Sequence, residues 1–262
     1  MVHAFDRVED WRAARARAGG MLLALDFDGT LAPIVPIPAD AALLPAAQSA
    51  LRSLVARADT RVAVVSGRAL ADVRARVGLA GVYYAGNHGL EIEGPDIERI
   101  HPEAVAAVKL IADCTATLRG QLAEYPGVLV EDKHLTLSVH FRMVSDPALE
   151  EEIVARVMAS CGDRAGLRLT AGKKVVEVRP DVAWDKGRAT RFLVDAVLAR
   201  NGAAPVVYIG DDRTDEDAFR ALRGRGDGVI VADPAPAESA AGAWVRSPAE
   251  VATVIADLAR TG

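Results

Sequence analysis

The sequence predicts an α/β protein in which a parallel-sheet core is interrupted by an inserted α+β segment. Two observations carry this prediction. Short apolar runs alternate with amphipathic stretches near both ends of the chain, which is typical of βα units. Between them, residues 97–179 contain two long helical patterns, each followed by a pair of alternating polar and apolar segments. The insert is therefore expected to be an antiparallel sheet with helices on one face, in the order αββαββ.

The first part of the core is predicted to be a βαβαβ unit. Its strands are the apolar runs "MLLALDF" (21–27), "RVAVVS" (61–66) and "VYYAG" (82–86). Between the first two, "PAAQSALRSLVAR" (45–57) places its apolar side chains on one helical face. After the second, "ALADVRARVG" ends at Gly78, a residue that suits the position just after a helix.

The insert and the return to the core follow from the same periodicities. Within the insert we predict helices at 103–125 and 147–161, and β segments at 128–143 and 167–180, with "TAGK" as a hairpin signal. The later core elements are the helix 186–202, the strand 205–210, the helix 216–225, the strand 228–232 and the helix 248–262. The predicted core is thus discontinuous, residues 1–96 and 180–262, around a domain at 97–179.

Composition excludes several classes of function. The chain has 31 Lys and Arg against 36 Asp and Glu, a net charge of -5, and no basic run that would bind nucleic acid. Cys114 and Cys161 lack the spacing of a metal site, which favours free thiols in a reducing compartment or small buried hydrophobes. No signal peptide and no apolar run of about 18 residues is found. We expect a monomeric cytoplasmic protein without membrane partners.

The segment "DFDGT" places two aspartates at the end of a buried strand. If strand geometry holds through Phe27, Asp26 and Asp28 share a face and both side chains point into one pocket. Two neighbouring carboxylates repel each other unless a cation or a proton is present. The alternative is an ordinary Asp-Gly turn in which Asp28 and Gly29 have no other role.

Two further clusters are suited to binding an anion. In "SGR", Ser66 and Gly67 lie between a strand and a helix, where backbone N–H groups can bind phosphate. In "DKG", Lys186 begins a helix, a position at which the helix dipole disfavours a positive charge and a nearby anion would favour it. The alternatives are a Ser-Gly helix entry without function and a solvated surface lysine.

The fourth cluster, "GDDRTDED", follows the strand 205–210. The helix dipole accounts for acidic residues at the next helix start, where Thr214 is the predicted N-cap, but not for Asp211 and Asp212 at the end of a buried strand. A hard divalent cation shared with Asp26 does account for them, since Mg²⁺ prefers carboxylate oxygens together with water and phosphate. The four clusters together form the set of groups that phosphoryl transfer requires.

The order of these four motifs resembles the haloacid dehalogenase (HAD) superfamily, which implies a HAD-like, Rossmann-like core. Within it, the chain resembles the trehalose-6-phosphate phosphatases through "LDFDGTLAPI", "SGR", "GNHGLE" (86–91), "VEDK" (130–133), "GKKVVEVRP" (172–180) and "GDDRTDEDAF". Phe27 departs from the tyrosine of many members. The resemblance implies that the segment 97–179 is a cap domain for substrate recognition.

The resemblance also implies roles for individual residues. Asp26 would be the nucleophile that forms an aspartyl-phosphate, and Asp28 the acid and base, with its backbone carbonyl on the metal. Ser66 and Lys186 would hold the phosphoryl oxygens. The implied metal ligands are Asp26, Asp28, Asp211 and Asp212, with Asp215 in a supporting role.

For the substrate, the resemblance implies recognition of sugar hydroxyls by polar side chains of the cap and of the pocket mouth. These are Glu131, Lys133, Glu177, Arg68, Asn87 and His88. Without the resemblance, Glu131 and Lys133 would be interpreted as an exposed strand edge and His88 as a hydrogen-bonded loop histidine.

The expected function is Mg²⁺-dependent hydrolysis of trehalose 6-phosphate. Two alternatives are open: a phosphatase for another sugar phosphate, such as sucrose 6-phosphate or glucosylglycerate phosphate, and a catalytically silent sugar-phosphate sensor. The first is open because the core chemistry does not depend on the leaving group.

Overall fold

The structure is a computed structural model that describes residues 1–199 and 201–260. Its strands are β1 (Val2–His3), β2 (Met21–Leu25), β3 (Thr60–Val65), β4 (Tyr83–Gly86), β5 (Glu91–Glu93), β6 (Glu98–Ile100), β7 (Leu129–Asp132), β8 (Leu137–His140), β9 (Leu167–Gly172), β10 (Val175–Pro180), β11 (Val206–Gly210), β12 (Asp227–Val231) and β13 (Ala243–Val245). Its α-helices are α1 (Val8–Ala18), α2 (Pro45–Val55), α3 (Leu70–Val77), α4 (Pro102–Gln121), α5 (Pro147–Val157), α6 (Lys186–Val197), α7 (Asp215–Ala221) and α8 (Pro248–Ala259).

The chain divides into two compact units. The larger unit comprises Met1–Val35, Ala39–Arg99 and Trp184–Gly262, and the smaller unit comprises Pro36–Pro38 and Ile100–Ala183. The main division thus lies at residues 100 and 183, where the sequence predicts 97 and 179. The predicted helices 186–202 and 248–262 include residues 200, 261 and 262, which lie outside the described residues.

The larger unit has a predominantly parallel sheet with the strand order β1-β13-β12-β11-β2-β3-β4-β5-β6. Strands β11, β2, β3 and β4 run parallel to one another, and β5 pairs with β4 in the antiparallel sense. The chain proceeds from β2 to β3 on one side and places β11 on the other. The carboxyl end of β2 is therefore a topological switch point, where open α/β sheets bind their ligands.

Both faces of this sheet are buried, which explains why its strands read as continuous apolar runs. Leu23 of β2 packs in one cluster with Leu51 of α2 and Ile255 of α8. Its neighbour Leu22 points to the opposite face and packs in a second cluster with Leu193 of α6. Each fully buried leucine contributes roughly 1.5–3 kcal/mol through the hydrophobic effect, so the strand ends lie on a rigid core.

The smaller unit has the predicted element order αββαββ and an antiparallel sheet, β7-β8-β10-β9. Val139 and Val178 of this sheet are fully buried in a cluster with Ile111 of α4 and Ile153 of α5. Because side chains alternate along a strand, Glu131, Ser138 and Glu177 lie on the other face of the sheet.

Among the described residues, no helix combines the length and the apolar character needed to cross a membrane.

Candidate active site

Four adjacent strands of the larger unit end in polar side chains. In the order β11-β2-β3-β4, the residues that follow the strands are Asp211, Asp26, Ser66 and Asn87. The carboxyl ends of parallel strands lie at one edge of a sheet, so residues far apart in the sequence meet there. The sequence-predicted clusters "DFDGT", "SGR" and "GDDRTDED" are brought together at this edge, and "DKG" joins them through Lys186.

Asp26 is held at the end of β2 with its carboxylate almost completely buried. Its backbone N–H donates to the carbonyl of Ile209 on β11 at 2.9 Å, which continues the strand pairing by one residue. Its Oδ1 accepts a hydrogen bond from Lys186 Nζ at 2.8 Å. Burial raises the pKa of Asp26 well above its usual value, and Lys186 opposes this effect.

Lys186 is the cation of the site and is fixed by the start of α6. Asp185 caps this helix, accepting a hydrogen bond from the backbone N–H of Arg188 at 2.8 Å. Lys186 Nζ donates to Asp215 Oδ1 at 2.9 Å as well as to Asp26. Burial works to lower the pKa of Lys186, but Asp215 and Asp26 outweigh it and raise that pKa above its usual value.

Asp215 is the most extensively hydrogen-bonded carboxylate of the site. Its Oδ2 accepts from the backbone N–H groups of Asp211 and Asp212 at 3.0 and 3.1 Å. Its Oδ1 accepts from the hydroxyl of Tyr208 at 2.7 Å in addition to Lys186. Complete burial raises the pKa of Asp215 to about 6, although Lys186 acts in the opposite direction. Asp215 thereby fixes both the loop after β11 and the lysine, a role larger than sequence reasoning assigns to it.

Three carboxylates of the site are arranged to hold a metal ion. Asp26, Asp211 and Asp215 each offer an oxygen, and these oxygens lie within 4.8 Å of one another. Lys186 Nζ contacts two of these carboxylates, Asp26 and Asp215, and a bound cation would neutralise further negative charge in the cluster. An oxygen donor set of this kind fits a hard divalent cation. The group contains the predicted ligands Asp26 and Asp211, and Asp215 beside them already accepts four hydrogen bonds and orients the loop.

The side chain of Asp212 is committed to the turn before α7. Its Oδ1 accepts hydrogen bonds from the backbone N–H and the hydroxyl of Thr214 at 2.8 and 2.7 Å, and from the N–H of Asp215 at 3.2 Å. Thr214 is the predicted N-cap of α7, but its side chain makes no cap bond. Asp212 supplies the acceptor instead. Asp212 therefore orients the loop that carries Asp211 and Asp215.

Two glycines of the motifs are required by the close approach of these carboxylates. A Cβ atom on Gly29, which has φ of +80°, would lie 2.3 Å from the carboxylate of Asp211. A Cβ atom on Gly210 would lie 2.2 Å from Cγ of Asp215. Both distances are far below van der Waals contact, so a side chain at either position would displace a carboxylate of the cluster.

Ser66 and the loop after β4 form a second wall of the site. Ser66 is buried, and its Oγ accepts a hydrogen bond from the backbone N–H of Arg68 at 3.2 Å, which leaves its own hydroxyl hydrogen for another acceptor. The backbone N–H of His88 donates to the carbonyl of Ser66 at 2.8 Å. The His88 ring packs on Gly67, where a Cβ atom would lie 2.9 Å from it.

Glu91, to which the sequence motifs assign no role, holds the side chain of the fully buried Asn87. Its Nδ2 donates to Glu91 Oε1 at 2.8 Å, and the same oxygen accepts from the backbone N–H of Leu70 at 2.7 Å. Glu91 thus ties the "GNHG" loop to the start of α3. Its position in "GNHGLE" is the signal in the sequence that would have identified it.

Asp28 and Arg68 form a bidentate ion pair. Arg68 Nε donates to Asp28 Oδ2 at 2.7 Å and Arg68 Nη2 donates to Asp28 Oδ1 at 2.8 Å. The carboxylate is 41 % exposed, whereas the arginine side chain is 8 % exposed. The sequence motifs assign Arg68 to the sugar and do not predict this contact.

A second polar cluster lies on the sheet of the smaller unit. Glu131 and Glu177 both stand opposite Ser138 in the strand register, so the two carboxylates lie in one row across β7, β8 and β10. Lys133 Nζ donates to Glu177 Oε1, and His140 Nε2 lies 2.8 Å from Glu131 Oε2. The predicted residues Glu131, Lys133 and Glu177 are therefore neighbours on one face.

Residues 24–241 match the model of the family described as trehalose-phosphatase. The trehalose-phosphate phosphatase of Mycobacterium tuberculosis is 43% identical to this chain over 240 residues, which cover 90% of this chain and 60% of the relative. The chain thus spans about 60% of the length of the curated relatives it matches first.

Solved structures show the same fold. The C-terminal domain of trehalose-6-phosphate phosphatase from Candida albicans has a TM-score of 0.77 at 23% identity, with 96% of each chain covered. A trehalose-6-phosphate phosphatase from Aspergillus fumigatus has a TM-score of 0.64 at 27% identity, covering 96% of this chain and 97% of that one.

Proposed function

Because the chain belongs to the trehalose-phosphatase family, we propose that it is a Mg²⁺-dependent phosphatase. Its reaction is hydrolysis of trehalose 6-phosphate to trehalose and inorganic phosphate, the last step of trehalose biosynthesis. The observation that carries the proposal is the buried Asp26 carboxylate, 2.8 Å from Lys186 and in one cluster with Asp211 and Asp215. Covalent phosphoryl transfer requires a carboxylate nucleophile beside groups that bind and neutralise the phosphoryl dianion, and this strand end supplies both.

In the first step a carboxylate oxygen of Asp26 attacks phosphorus. The bond from phosphorus to the sugar oxygen breaks, and Asp28 gives its proton to that oxygen as trehalose departs. The product on the protein is an aspartyl-phosphate at Asp26. The family resemblance assigns this role to Asp28, and its side chain is 41 % exposed, so that the leaving sugar and water can reach it.

In the second step water hydrolyses the aspartyl-phosphate. Asp28, now ionised, accepts a proton from the water as its oxygen attacks phosphorus, and the bond from phosphorus to the Asp26 oxygen breaks. Inorganic phosphate leaves, the Asp26 carboxylate is restored, and Asp28 is again protonated.

Lys186 and Ser66 hold the phosphoryl group during both steps. Lys186 carries the positive charge that the transferred oxygens require, and Ser66 offers its hydroxyl hydrogen. Charge stabilisation by groups already in place is the largest source of rate in such reactions. Asp26, Asp211 and the backbone carbonyl of Asp28 would hold Mg²⁺, with Asp212 and Asp215 orienting the loop. When bound, the ion neutralises charge on the phosphoryl oxygens and on the carboxylates.

The sugar is recognised by hydrogen bonds to its hydroxyls. Glu131, Lys133 and Glu177 of the smaller unit supply two carboxylates and an ammonium group on one sheet face, a donor and acceptor set suited to a polyhydroxylated, uncharged disaccharide. We also propose that the protein acts in the cytoplasm, which the two free, buried cysteines support.

The experiment measures phosphate release from trehalose 6-phosphate by the purified chain with Mg²⁺, and again after the metal is removed by a chelator. Turnover is expected with Mg²⁺ and is expected to disappear without it. Asp26→Asn should reduce kcat roughly 10⁴-fold or more because the amide is not a nucleophile, while the variant stays folded. The matched control is Asp195→Asn, which alters an exposed carboxylate on α6.

Two results would contradict the proposal. Activity of Asp26→Asn close to that of the unaltered chain would remove Asp26 from the nucleophilic role. Binding of trehalose 6-phosphate without any phosphate release in the presence of Mg²⁺ would identify the chain as a sensor of the sugar phosphate.

A further inference from the structure

The guanidinium group of Arg68 is fixed more firmly than the carboxylate it binds. Both of its hydrogen bonds to Asp28 are short, at 2.7 and 2.8 Å, and they engage both carboxylate oxygens. The Arg68 side chain is 8 % exposed against 41 % for Asp28. A buried, doubly hydrogen-bonded guanidinium has few accessible rotamers, so Arg68 determines where the exposed carboxylate rests.

Asp72 holds the opposite edge of the same guanidinium. Arg68 Nη1 donates to Asp72 Oδ2 at 2.7 Å, and the guanidinium carbon lies 5.2 Å from the centre of the Phe27 ring. The fork of Arg68 is thus bound on one edge by Asp28 and on another by Asp72. Because the guanidinium is planar, fixing the Asp72 edge fixes the orientation of the Asp28 edge.

Asp72 is itself held in place by Arg76, one helical turn further along α3. Arg76 Nε donates to both Asp72 oxygens at 2.8 and 2.9 Å, and its Nη1 donates to the carbonyls of Ala39 and Ala41. The spacing from Asp72 to Arg76 places them on the same helix face. Asp28, Arg68, Asp72 and Arg76 therefore form a chain of alternating charge from the active site to the loop at residues 39–41.

The charge states of this chain are consistent with its geometry. Burial favours the uncharged form of Asp72, but hydrogen bonds from Arg76 and Arg68 outweigh it and hold the pKa of Asp72 below its usual value. Burial likewise opposes the charge on Arg68, and the hydrogen bonds to Asp28 and Asp72 raise the pKa of Arg68 above its usual value. Both partners are ionised at neutral pH.

We propose that Asp72 is a positioning residue for the reaction: it orients the Arg68 guanidinium, which fixes the position of the Asp28 carboxylate while that group is ionised. The inference rests on the proposed function, in which Asp28 is an anion between its two proton transfers. A carboxylate held through both oxygens has lost its rotational freedom before water attacks, whereas a free exposed carboxylate has to be ordered in each cycle. Asp72 touches no reacting atom in this mechanism.

The test compares Asp72→Asn with the unaltered chain on two kinds of phosphate ester. Trehalose 6-phosphate has an alkoxide leaving group that requires a proton, whereas 4-nitrophenyl phosphate releases a stable phenolate that requires none. We expect kcat for trehalose 6-phosphate to fall roughly 10-fold or more. The initial burst of nitrophenolate, which reports formation of the phosphoenzyme, should keep its rate, and KM should change little for either ester.

The matched control is Arg74→Gln. Arg74 lies on the same helix, is 59 % exposed and pairs with Glu93 at 2.7 Å, outside the chain of charges that leads to Asp28. Asp72→Glu keeps the negative charge on a longer side chain and is expected to recover part of the lost kcat. Arg74→Gln should leave the turnover of both esters unchanged.

Three results would overturn the inference. These are an unchanged kcat of Asp72→Asn on trehalose 6-phosphate, an equal loss in both kcat and burst rate, and a loss that Arg74→Gln reproduces. If the unaltered chain hydrolyses no phosphate ester, the proposed function fails separately. The shifts in Tm of Asp28→Asn, Asp72→Asn and the double variant then test the structural part of the inference, because simple additivity would mean that Arg68 does not couple the two positions.

Discussion

At the scale of single residues, Lys186 shows how the site overrides a local preference. As the first residue of α6 it opposes the helix dipole, at a cost of about 0.3–1 kcal/mol. Its hydrogen bonds to two buried carboxylates, at 2.8 and 2.9 Å, are charge-assisted and outweigh that cost. The sequence predicts an anion beside Lys186, and the structure shows two, Asp26 and Asp215. The hydrogen bond from Lys186 to Asp215 is not predictable from the sequence, because the dipole of α7 already explains an acidic residue at position 215.

The pH dependence of stability is expected to depend in part on Asp59, far from the reacting groups. Hydrogen bonds from Arg57, at 2.9 and 2.8 Å, lower the pKa of Asp59 below its unfolded value; burial works against this and Arg15 supports it. A lowered pKa means that the carboxylate stabilises the fold at neutral pH and loses this effect as the pH falls below about 4.

Asp59→Asn should therefore lower Tm at pH 7, and this difference in Tm should shrink progressively as the pH falls below about 4. Thermal unfolding of the two proteins from pH 3 to pH 7 measures this. A Tm difference that is constant over that range would show that Asp59 contributes through packing and not through its charge.

At the scale of elements, the strands whose ends form the site are those that the sequence predicts. The segments β2, β3 and β11 are buried on both faces, so each reads as an apolar run that ends in a polar cluster. The short strands β1, β5, β6 and β13, of two or three residues each, are not anticipated. They form through pairing with distant segments, and so few residues show no periodicity.

The turn between β11 and α7 is predicted to tolerate no side chain at Gly210. A Cβ atom there would lie 2.2 Å from Cγ of Asp215, whose carboxylate accepts from Lys186 and Tyr208. Gly210→Ala should lower the free energy of unfolding by about 1–3 kcal/mol and reduce kcat strongly, because Asp215 has to move.

Gly120→Ala is the matched control for this substitution. Gly120 lies within α4, and among the described residues nothing outside that helix's own backbone comes within 4 Å of the place a Cβ atom would take. Alanine should therefore raise stability by roughly 0.5–1 kcal/mol. Chemical denaturation and phosphate release measure both variants. Equal stability of the two variants would contradict the packing described around Gly210.

At the scale of the whole molecule, reaction and specificity are assigned to different units. The larger unit contains every group proposed to touch the phosphoryl group, and the order of its motifs along the chain predicts phosphoryl transfer. The choice of sugar is proposed to depend on Glu131, Lys133 and Glu177, which belong to the smaller unit. Their chemistry alone indicates a polar ligand; the assignment to trehalose 6-phosphate comes from the family to which the chain belongs.

Glu131→Gln and Glu177→Gln are expected to separate the two functions. Each should raise KM for trehalose 6-phosphate roughly 10-fold by weakening a charge-assisted hydrogen bond, and should change KM for 4-nitrophenyl phosphate much less. Asp113→Asn, an exposed carboxylate of α4 that pairs with Lys109, is the control. Equal effects on both esters would mean that these two carboxylates do not bind the sugar.

The proposed activity is tested most sharply by kcat/KM of the purified chain with Mg²⁺ on trehalose 6-phosphate, sucrose 6-phosphate and glucosylglycerate phosphate. Trehalose 6-phosphate should be preferred roughly 100-fold or more, since polar groups of the sugar site are left unpaired by the wrong sugar. Comparable values for the three esters would contradict the proposal and leave a phosphatase of broad sugar-phosphate specificity.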